Sequence, residues 1–247
     1  MFVKNKMRHA GSAMKAVDDG RIHILDYHRR RFVVGLQWET VRATRNLMKE
    51  VRRIGKARQL DVVAIRKSDA IQAGFAPRTP QKLRGGYSLV VTLASLLEGC
   101  CIAVISLGKD AQGEEMFTLV GKTEKGGIHP YSDEIYPASQ LNQVIIDLKS
   151  DLRGNTTGMD IPVYGDTGRF SFVTHPLELE ILLDPKNLTK AFRLKPLTWG
   201  MTRNQLLALC GAAIVVISGW LLLHQYHERQ EEKARQARII QVEKWRK

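Results

Sequence analysis

The segment LLALCGAAIVVISGWLLL at residues 206–223 decides the architecture of this chain. It contains no charged residue, and as an α-helix it is about 27 Å long, enough to cross the hydrocarbon core of a bilayer. Trp199 and Trp220 lie near its two ends, where interfacial aromatic residues are expected. We predict a transmembrane helix at residues 205–224 rather than a buried core helix, because no other stretch offers a partner of matching apolarity.

The orientation of this helix cannot be read from its flanks, because basic residues are nearly as numerous after it as before it. The first 21 residues are positively charged but lack the apolar region of a signal peptide. A large folded domain is not expected to cross a membrane without a signal. We therefore place residues 1–204 in the cytoplasm, with the helix in the membrane and residues 224–247 outside.

Small residues mark one face of the predicted helix, where Ala208, Gly211 and Ala212 lie side by side. Such a face permits close helix–helix approach, although small residues are also common in membrane helices generally. We treat these residues as a candidate helix-packing surface in a homo-oligomer. Residues 225–247 contain strong helix formers without Gly or Pro, so we expect the helix to continue as the start of a longer external region.

The composition of the chain is that of a basic globular protein. It has 247 residues, 44% of them hydrophobic, and a formal net charge of +13. This charge favours an anionic partner, which can be nucleic acid, an acidic protein surface or an anionic membrane leaflet. Cys100, Cys101 and Cys210 show no zinc-binding spacing, so we expect reduced thiols and no metal.

The region before the membrane segment alternates strand and helix patterns, which predicts a mixed α/β domain. We divide the chain into an N-terminal extension (1–21), this domain (22–195), a juxtamembrane linker (196–204), the transmembrane helix and an external helix (225–247). The predicted elements of the domain are a hairpin at 22–39, a helix from Thr40 to about Gly55, a strand at 60–66, a loop at 74–86, a helix at 87–97 capped by Ser88, a hairpin at 101–121, a loop at 123–137, a helix at 138–152, and strands at 161–164 and 170–173 before a short helix at 176–184.

The predicted helix at 40–55 carries the clearest functional signal. One face is apolar, and the other carries five basic residues: Arg42, Arg45, Lys49, Arg52 and Arg53. A basic face of this kind binds nucleic-acid phosphates, docks on an acidic protein surface, or is simply solvated. We favour a partner-binding surface, and we do not expect nucleic acid because no reader motif or aromatic stacking platform accompanies these residues.

The chain shows no catalytic signature. It lacks the glycine-rich nucleotide-binding loops, the serine nucleophile elbow and the zinc-protease helix motif. The segment GGIHPYSDE places His129 close to Asp133 and Glu134, which is compatible with a metal ligand or a general base. It lacks a second ligand at metal-binding spacing, so we interpret it as a polar turn. We expect no enzyme activity and no cofactor.

Several short motifs together carry a resemblance to a known family. In chain order they are Gly35-Leu36-Gln37-Trp38, Gln72-Ala73-Gly74-Phe75, Tyr87-Ser88-Leu89, Gly127-Ile128 and Ser132-Asp133-Glu134. Their order, followed by a single membrane span, resembles the PilO-type pilin accessory proteins of type IVb pilus systems, including the thin pili used in conjugation.

This resemblance implies an inner-membrane scaffold with an actin-like cytoplasmic domain, similar to that of type II secretion assembly proteins. Its implied partners are the pilus assembly ATPase, the polytopic platform protein and other components of the pilus alignment complex. An active actin-like ATPase needs an acidic residue and a glycine in its phosphate turn, whereas residues 35–40 place Gln37 and Trp38 there. We therefore expect a degenerate fold without nucleotide. The alternatives are a membrane-tethered nucleic-acid-binding protein and a degenerate nucleotide hydrolase.

Overall fold

The computed structural model describes residues 21–42, 46–154, 160–197 and 203–244. The chain divides into two compact units, residues 1–198 and residues 199–247. The first unit is a mixed α/β domain, as the sequence predicts. The second contains one long helix.

Among the described residues, twelve strands form three sheets. The strands are β1 (His23–Tyr27), β2 (Arg30–Val34), β3 (Gln37–Thr40), β4 (Leu60–Lys67), β5 (Ile71–Pro77), β6 (Tyr87–Ser88), β7 (Cys101–Lys109), β8 (Glu115–Lys122), β9 (Ile135–Pro137), β10 (Val163–Gly165), β11 (His175–Pro176) and β12 (Lys195–Pro196). The strand orders are β1-β2-β6, β11-β10-β7-β8-β9 and β12-β4-β5-β3. The helices are α1 (Leu47–Ala57), α2 (Leu89–Leu96), α3 (Ala138–Arg153), α4 (Leu179–Leu182) and α5 (Arg203–Lys244).

Two hairpins follow directly from local sequence. The turn between β1 and β2 places His28 and Arg29 at positive φ, the backbone conformation that a tight two-residue hairpin requires. In the turn between β7 and β8, the Asp110 carboxylate accepts hydrogen bonds from the backbone N–H groups of Gln112 (2.9 Å) and Glu114 (2.8 Å). This side chain satisfies turn donors that no strand partner reaches.

The β7–β8 hairpin lies between two hydrophobic cores of the domain. Successive side chains of a strand point to opposite faces, so β7 contributes to both cores. Ala103 and Ile105 lie in the core that also contains α2, whereas Ile102 and Val104 lie in the core that contains α3. Helix α2 is apolar on all sides and buried along most of its length. Its first turn is capped by Ser88, as the sequence predicts, and Ser88 Oγ accepts a hydrogen bond from Val91 N (3.3 Å).

The predicted start of the first helix is wrong. Thr40 is the last residue of β3. Helix α1 begins at Leu47 and is capped by Asn46, whose side chain accepts a hydrogen bond from Lys49 N (3.2 Å). Both residues are suitable N-caps, and pairing of β3 with β5 places Thr40 in a sheet. Gly55 lies inside α1 rather than after it. A Cβ at this position would stand 2.7 Å from the Leu197 side chain, which explains the glycine.

Three further predictions differ from the structure. Residues 74–77 belong to β5 rather than to a loop, since strands β3 and β4 pair with them on both sides. Residues 170–173 form no strand, and the short helix expected at 176–184 covers only Leu179–Leu182. The rings of Phe170 and Phe172 stack on each other with their centroids 4.9 Å apart, so these aromatic residues pack locally instead of pairing in a sheet.

Helix α5 contains 42 residues and is therefore about 63 Å long. Within the described part of the chain, it is the one helix long and apolar enough to span a membrane, with a candidate span at Leu207–Lys233. The helix extends past the apolar segment into its charged sequence, as predicted.

Candidate functional site

Two of the motifs that carry the family resemblance, at residues 35–38 and 132–134, meet at one buried carboxylate. Asp133 is fully buried and accepts three hydrogen bonds, from Gly35 N (2.8 Å), Leu36 N (3.2 Å) and Trp38 Nε1 (2.7 Å). These bonds join residues about a hundred positions apart in the chain. We call this arrangement of Asp133 with residues 35–38 the carboxylate clasp.

The loop that carries Asp133 is itself fixed to β8. Asp133 N donates to Leu119 O (2.9 Å), and Ser132 Oγ accepts a hydrogen bond from Gly121 N (2.8 Å). Asp133 has a φ of +64°, which is uncommon for a residue with a side chain. Burial raises the pKa of its carboxyl to about 6, and the three hydrogen bonds from residues 35–38 oppose this rise. The geometry presents both carboxylate oxygens to the donors of the turn.

A second contact reinforces the clasp from β5. The side-chain amide of Gln72 bonds both backbone groups of Ile128: Nε2 donates to Ile128 O and Oε1 accepts from Ile128 N, each at 2.7 Å. The Trp38 ring covers Gly74 so closely that a Cβ there would lie 2.6 Å from Trp38 Cε2. Glycine at this strand position is therefore explained by close approach of the indole.

A small pocket of about 180 Å³ lies beside the clasp. It is lined by Trp38, Glu39, Thr40, Gln72, Ile128, Pro130, Ser132 and Glu134. Pockets that enclose small-molecule ligands usually measure about 300–1,000 Å³. The pocket is below this range, so it is too small to enclose a typical small-molecule ligand.

The proposed phosphate turn has a different structure from the one expected. Residues 37–40 are strand β3, and only Gly35 and Leu36 form the preceding turn. The backbone N–H groups of these two residues, which would face a phosphate in an open anion site, bond the Asp133 carboxylate instead. An incoming anion would have to displace a carboxylate of the chain itself.

His129 lies in the same loop but outside the clasp. Its side chain is mostly buried, with 13% of its surface exposed, and its Nε2 is 3.5 Å from Asp151 Oδ2. Burial lowers the pKa of its imidazole, and the nearby Asp151 opposes this effect. No group of three or more potential metal ligands occurs among the residues that the structure describes. His129 lies in the loop between β8 and β9, next to the turn at 130–133.

The predicted basic face is only partly on α1. Lys49, Arg52 and Arg53 are exposed on the helix, and Arg53 forms a salt bridge with Glu50 one turn earlier. Arg42 is exposed but precedes the helix, because α1 begins later than expected. Arg45 lies outside the described residues.

Hydrogen bonds of Asp133 and Gln72 thus join motifs that are distant in the sequence, and a comparison of the chain with family models gives its family. The model for pilin accessory proteins (PilO) matches residues 32–247, which include the clasp and the apolar helix. The chain belongs to the PilO family. As a member, it is a component of type IV pilus assembly, and its family is one of structural assembly proteins rather than of known enzymes.

Other comparisons add little to the family assignment. No curated protein matches the PilO-family chain. A solved structure, the crystal structure of the cytoplasmic domain of BfpC, is similar over 71% of this chain and 98% of its own length, with 11% sequence identity and a TM-score of 0.45. A likeness this weak fixes neither the fold nor the function.

Helix α5 presents the predicted small-residue surface without a neighbour. Ala208, Gly211 and Ala212 are exposed, and no heavy atom lies within 4 Å of a Cβ built on Gly211. This face of the PilO-family helix has room for a second helix at short distance.

Proposed function

We propose that this chain is an inner-membrane scaffold that couples the cytoplasmic assembly ATPase and the platform protein of a type IVb pilus machine to its periplasmic components. The α/β domain lies in the cytoplasm, and α5 crosses the inner membrane. The observation that carries the proposal is the family match across both units, which joins the folded domain and the apolar helix in one assembly protein. The identities of the partners come from the family resemblance. We also propose, on the same basis, that the α/β domain is a degenerate actin-like domain that binds no nucleotide.

The clasp supports binding rather than nucleotide chemistry. Asp133 already bonds the turn that would hold a phosphate, and it links β3 to the loop on β8. A domain braced in this way presents fixed surfaces to its partners. Nucleotide hydrolysis is the weaker alternative, since it would require the Asp133 carboxylate to leave the turn.

The docking surface for the motor is proposed to be the exposed side of α1 together with Arg42, which precedes the helix; Arg45, predicted as part of this surface, lies outside the described residues. Val51 and Gly55 are buried on the opposite side of the helix, so Lys49 and Arg52 project away from the domain. The salt bridge to Glu50 partly neutralises Arg53. Long-range attraction to an acidic surface would orient the motor before close contact forms.

Charge reversal tests this surface. The triple substitution K49E/R52E/R53E is expected to weaken binding of the assembly ATPase by on the order of tenfold or more, because three attractive charges become repulsive. Binding is measured with the full chain in nanodiscs, and circular dichroism checks the fold. The matched control K67E/K109E/K125E changes the same charge at exposed sites on other elements. Undiminished binding by a folded α1 variant would show that the surface is wrong.

The small-residue face of α5 is proposed to pack two copies of the chain together. A G211L substitution is expected to weaken self-association in vesicles by roughly fivefold or more, because its bulk prevents the close approach that small residues permit. Energy transfer between labelled chains measures the association. C210L, which adds bulk on the opposite side of the helix, is the control. If both variants associate like the parent chain, α5 does not self-associate through Ala208, Gly211 and Ala212.

A further inference from the structure

Three segments that are distant in sequence form a strongly basic patch on the α/β domain. They are the β1–β2 turn with the start of β2 (residues 28–31), the loop at 78–86 and the final stretch at 184–196. Together they contain ten Lys and Arg residues and one acidic residue, Asp184. We call their combined surface the basic patch.

Specific contacts hold the three segments together. The Arg31 guanidinium donates to the carbonyl oxygens of Lys82 and Arg84, which ties the hairpin turn to the loop. Leu194 N donates to Gly86 O (2.9 Å), which ties the loop to the final stretch. Arg193 Nε also donates to Tyr87 Oη (3.1 Å). The patch is therefore one continuous surface.

Most cations of the patch face solvent without a counter-charge. Arg84 pairs with Asp61, and the Asp184 carboxylate is occupied at the backbone N–H of Lys186. Eight others are exposed and take part in no ion pair within the described ranges: Arg29, Arg30, Arg78, Lys82, Lys186, Lys190, Arg193 and Lys195. So many like charges repel one another, and an anionic surface would relieve that repulsion.

The patch also contains the point at which the chain leaves the domain. Strand β12 pairs Lys195 with Val63, and Leu197 N donates to Asp61 O (2.8 Å). Only residues 198–202 then separate the domain from Arg203, the first residue of α5. Eight residues of extended chain span at most about 28 Å, so the Lys195 backbone stays within this distance of the start of α5.

We propose that the basic patch binds the headgroups of anionic phospholipids at the membrane surface that α5 enters. The short connection keeps the patch at a high local concentration near the bilayer. Each Lys or Arg close to an anionic leaflet strengthens binding roughly fivefold, and the interaction extends over about one Debye length. Nucleic acid is disfavoured because the bilayer is always within reach of the patch. The inference requires the membrane span but does not require the proposed motor contact.

Lysine acetylation in nanodiscs tests the proposal with the full chain. Lys82, Lys186, Lys190 and Lys195 are expected to react about threefold more slowly in nanodiscs with about one third phosphatidylglycerol than in pure phosphatidylcholine. Roughly 0.5 M NaCl should remove the difference, because it shortens the screening length. Lys109 at the end of β7 and Lys125 in the turn after β8 are exposed outside the patch and should react equally in both nanodiscs.

A pair of matched variants separates this surface from α1. R29Q/R30Q keeps every reporter lysine and is expected to abolish most of the lipid-dependent protection. R52Q/R53Q removes two cations from α1 and should leave the protection unchanged. Equal reactivity of the patch lysines in both nanodiscs, or protection confined to Lys49 and Lys56 on α1, would overturn the proposal. Protection by added DNA but not by phosphatidylglycerol would assign the patch to nucleic acid instead. Loss of ATPase binding without loss of lipid protection would bear only on the proposed motor surface and not on the patch.

Discussion

Replacement of Asp133 by alanine is expected to lower the free energy of unfolding of the α/β domain by about 3–5 kcal/mol. The substitution leaves the N–H groups of Gly35, Leu36 and Trp38 without their acceptor in a buried position. A buried donor that loses its partner costs about 1–3 kcal/mol, and these three lie together. For a domain of this size, the melting temperature should fall by on the order of 10 °C.

Thermal unfolding of the full chain in detergent, followed by circular dichroism, measures this effect. D147A is the matched control, because Asp147 is exposed on α3 and bonds only the Gln143 side chain among the described contacts. Its effect should stay within about 0.5 kcal/mol. W38F removes one donor of the clasp and keeps an aromatic ring, so it should cost about 1 kcal/mol. If D133A were as stable as D147A, the clasp would not contribute to the stability of the fold.

Replacement of Gly35 by alanine is expected to cost about 2–5 kcal/mol, for two reasons that add together. Gly35 has a φ of +94°, which strains a residue with a side chain by about 1–2 kcal/mol. Its Cβ would also lie 1.9 Å from the carbonyl oxygen of Arg21, which belongs to the backbone and cannot rotate away. Relieving that overlap would move the amide that bonds Asp133.

Gly85 provides the control for backbone strain. It has a similar φ of +81°, but no heavy atom lies within 4 Å of a Cβ built there. G85A should therefore cost only about 1 kcal/mol. Both variants are compared by chemical unfolding at equilibrium. Equal stability of G35A and G85A would contradict the close packing of residues 35 and 21, since strain alone would then explain both.

The elements that local sequence determines were predicted well. The β7–β8 hairpin, the Ser88 cap of α2 and the apolar stripe of α3 depend on residues close in the chain, and all three occur in the structure. The membrane segment is clear for the same reason, since its length and apolarity are local properties.

The elements that distant residues determine were predicted less well. Thr40 and Asn46 are equally good caps in sequence, and only the pairing of β3 with β5 shows which one begins α1. Gly74 and Pro77 favour a loop, yet β5 lies between two strands and the Trp38 ring occupies the space above Gly74. Local patterns contain no information about these partners.

The sequence indicated the motifs of the clasp but not the contacts between them. These motifs, including the one that contains Asp133, carry the family resemblance, but nothing in the sequence pairs Asp133 with the turn at Gly35 and Leu36. The contacts of Asp133 with Gly35 and Leu36 cross almost half of the chain, so no spacing rule reveals them. The available signal was the presence of a turn glycine, an indole N–H and a carboxylate among the motifs of one family.

Recovery of partners from membranes tests the central claim most directly. The full chain is used as bait in detergent-solubilised membranes of pilus-producing cells, and captured proteins are identified by mass spectrometry. The scaffold account predicts that the assembly ATPase and the polytopic platform protein are recovered together, and that K49E/R52E/R53E loses the ATPase while keeping the platform protein. Recovery of neither protein, or of nucleic acid in their place, would contradict it.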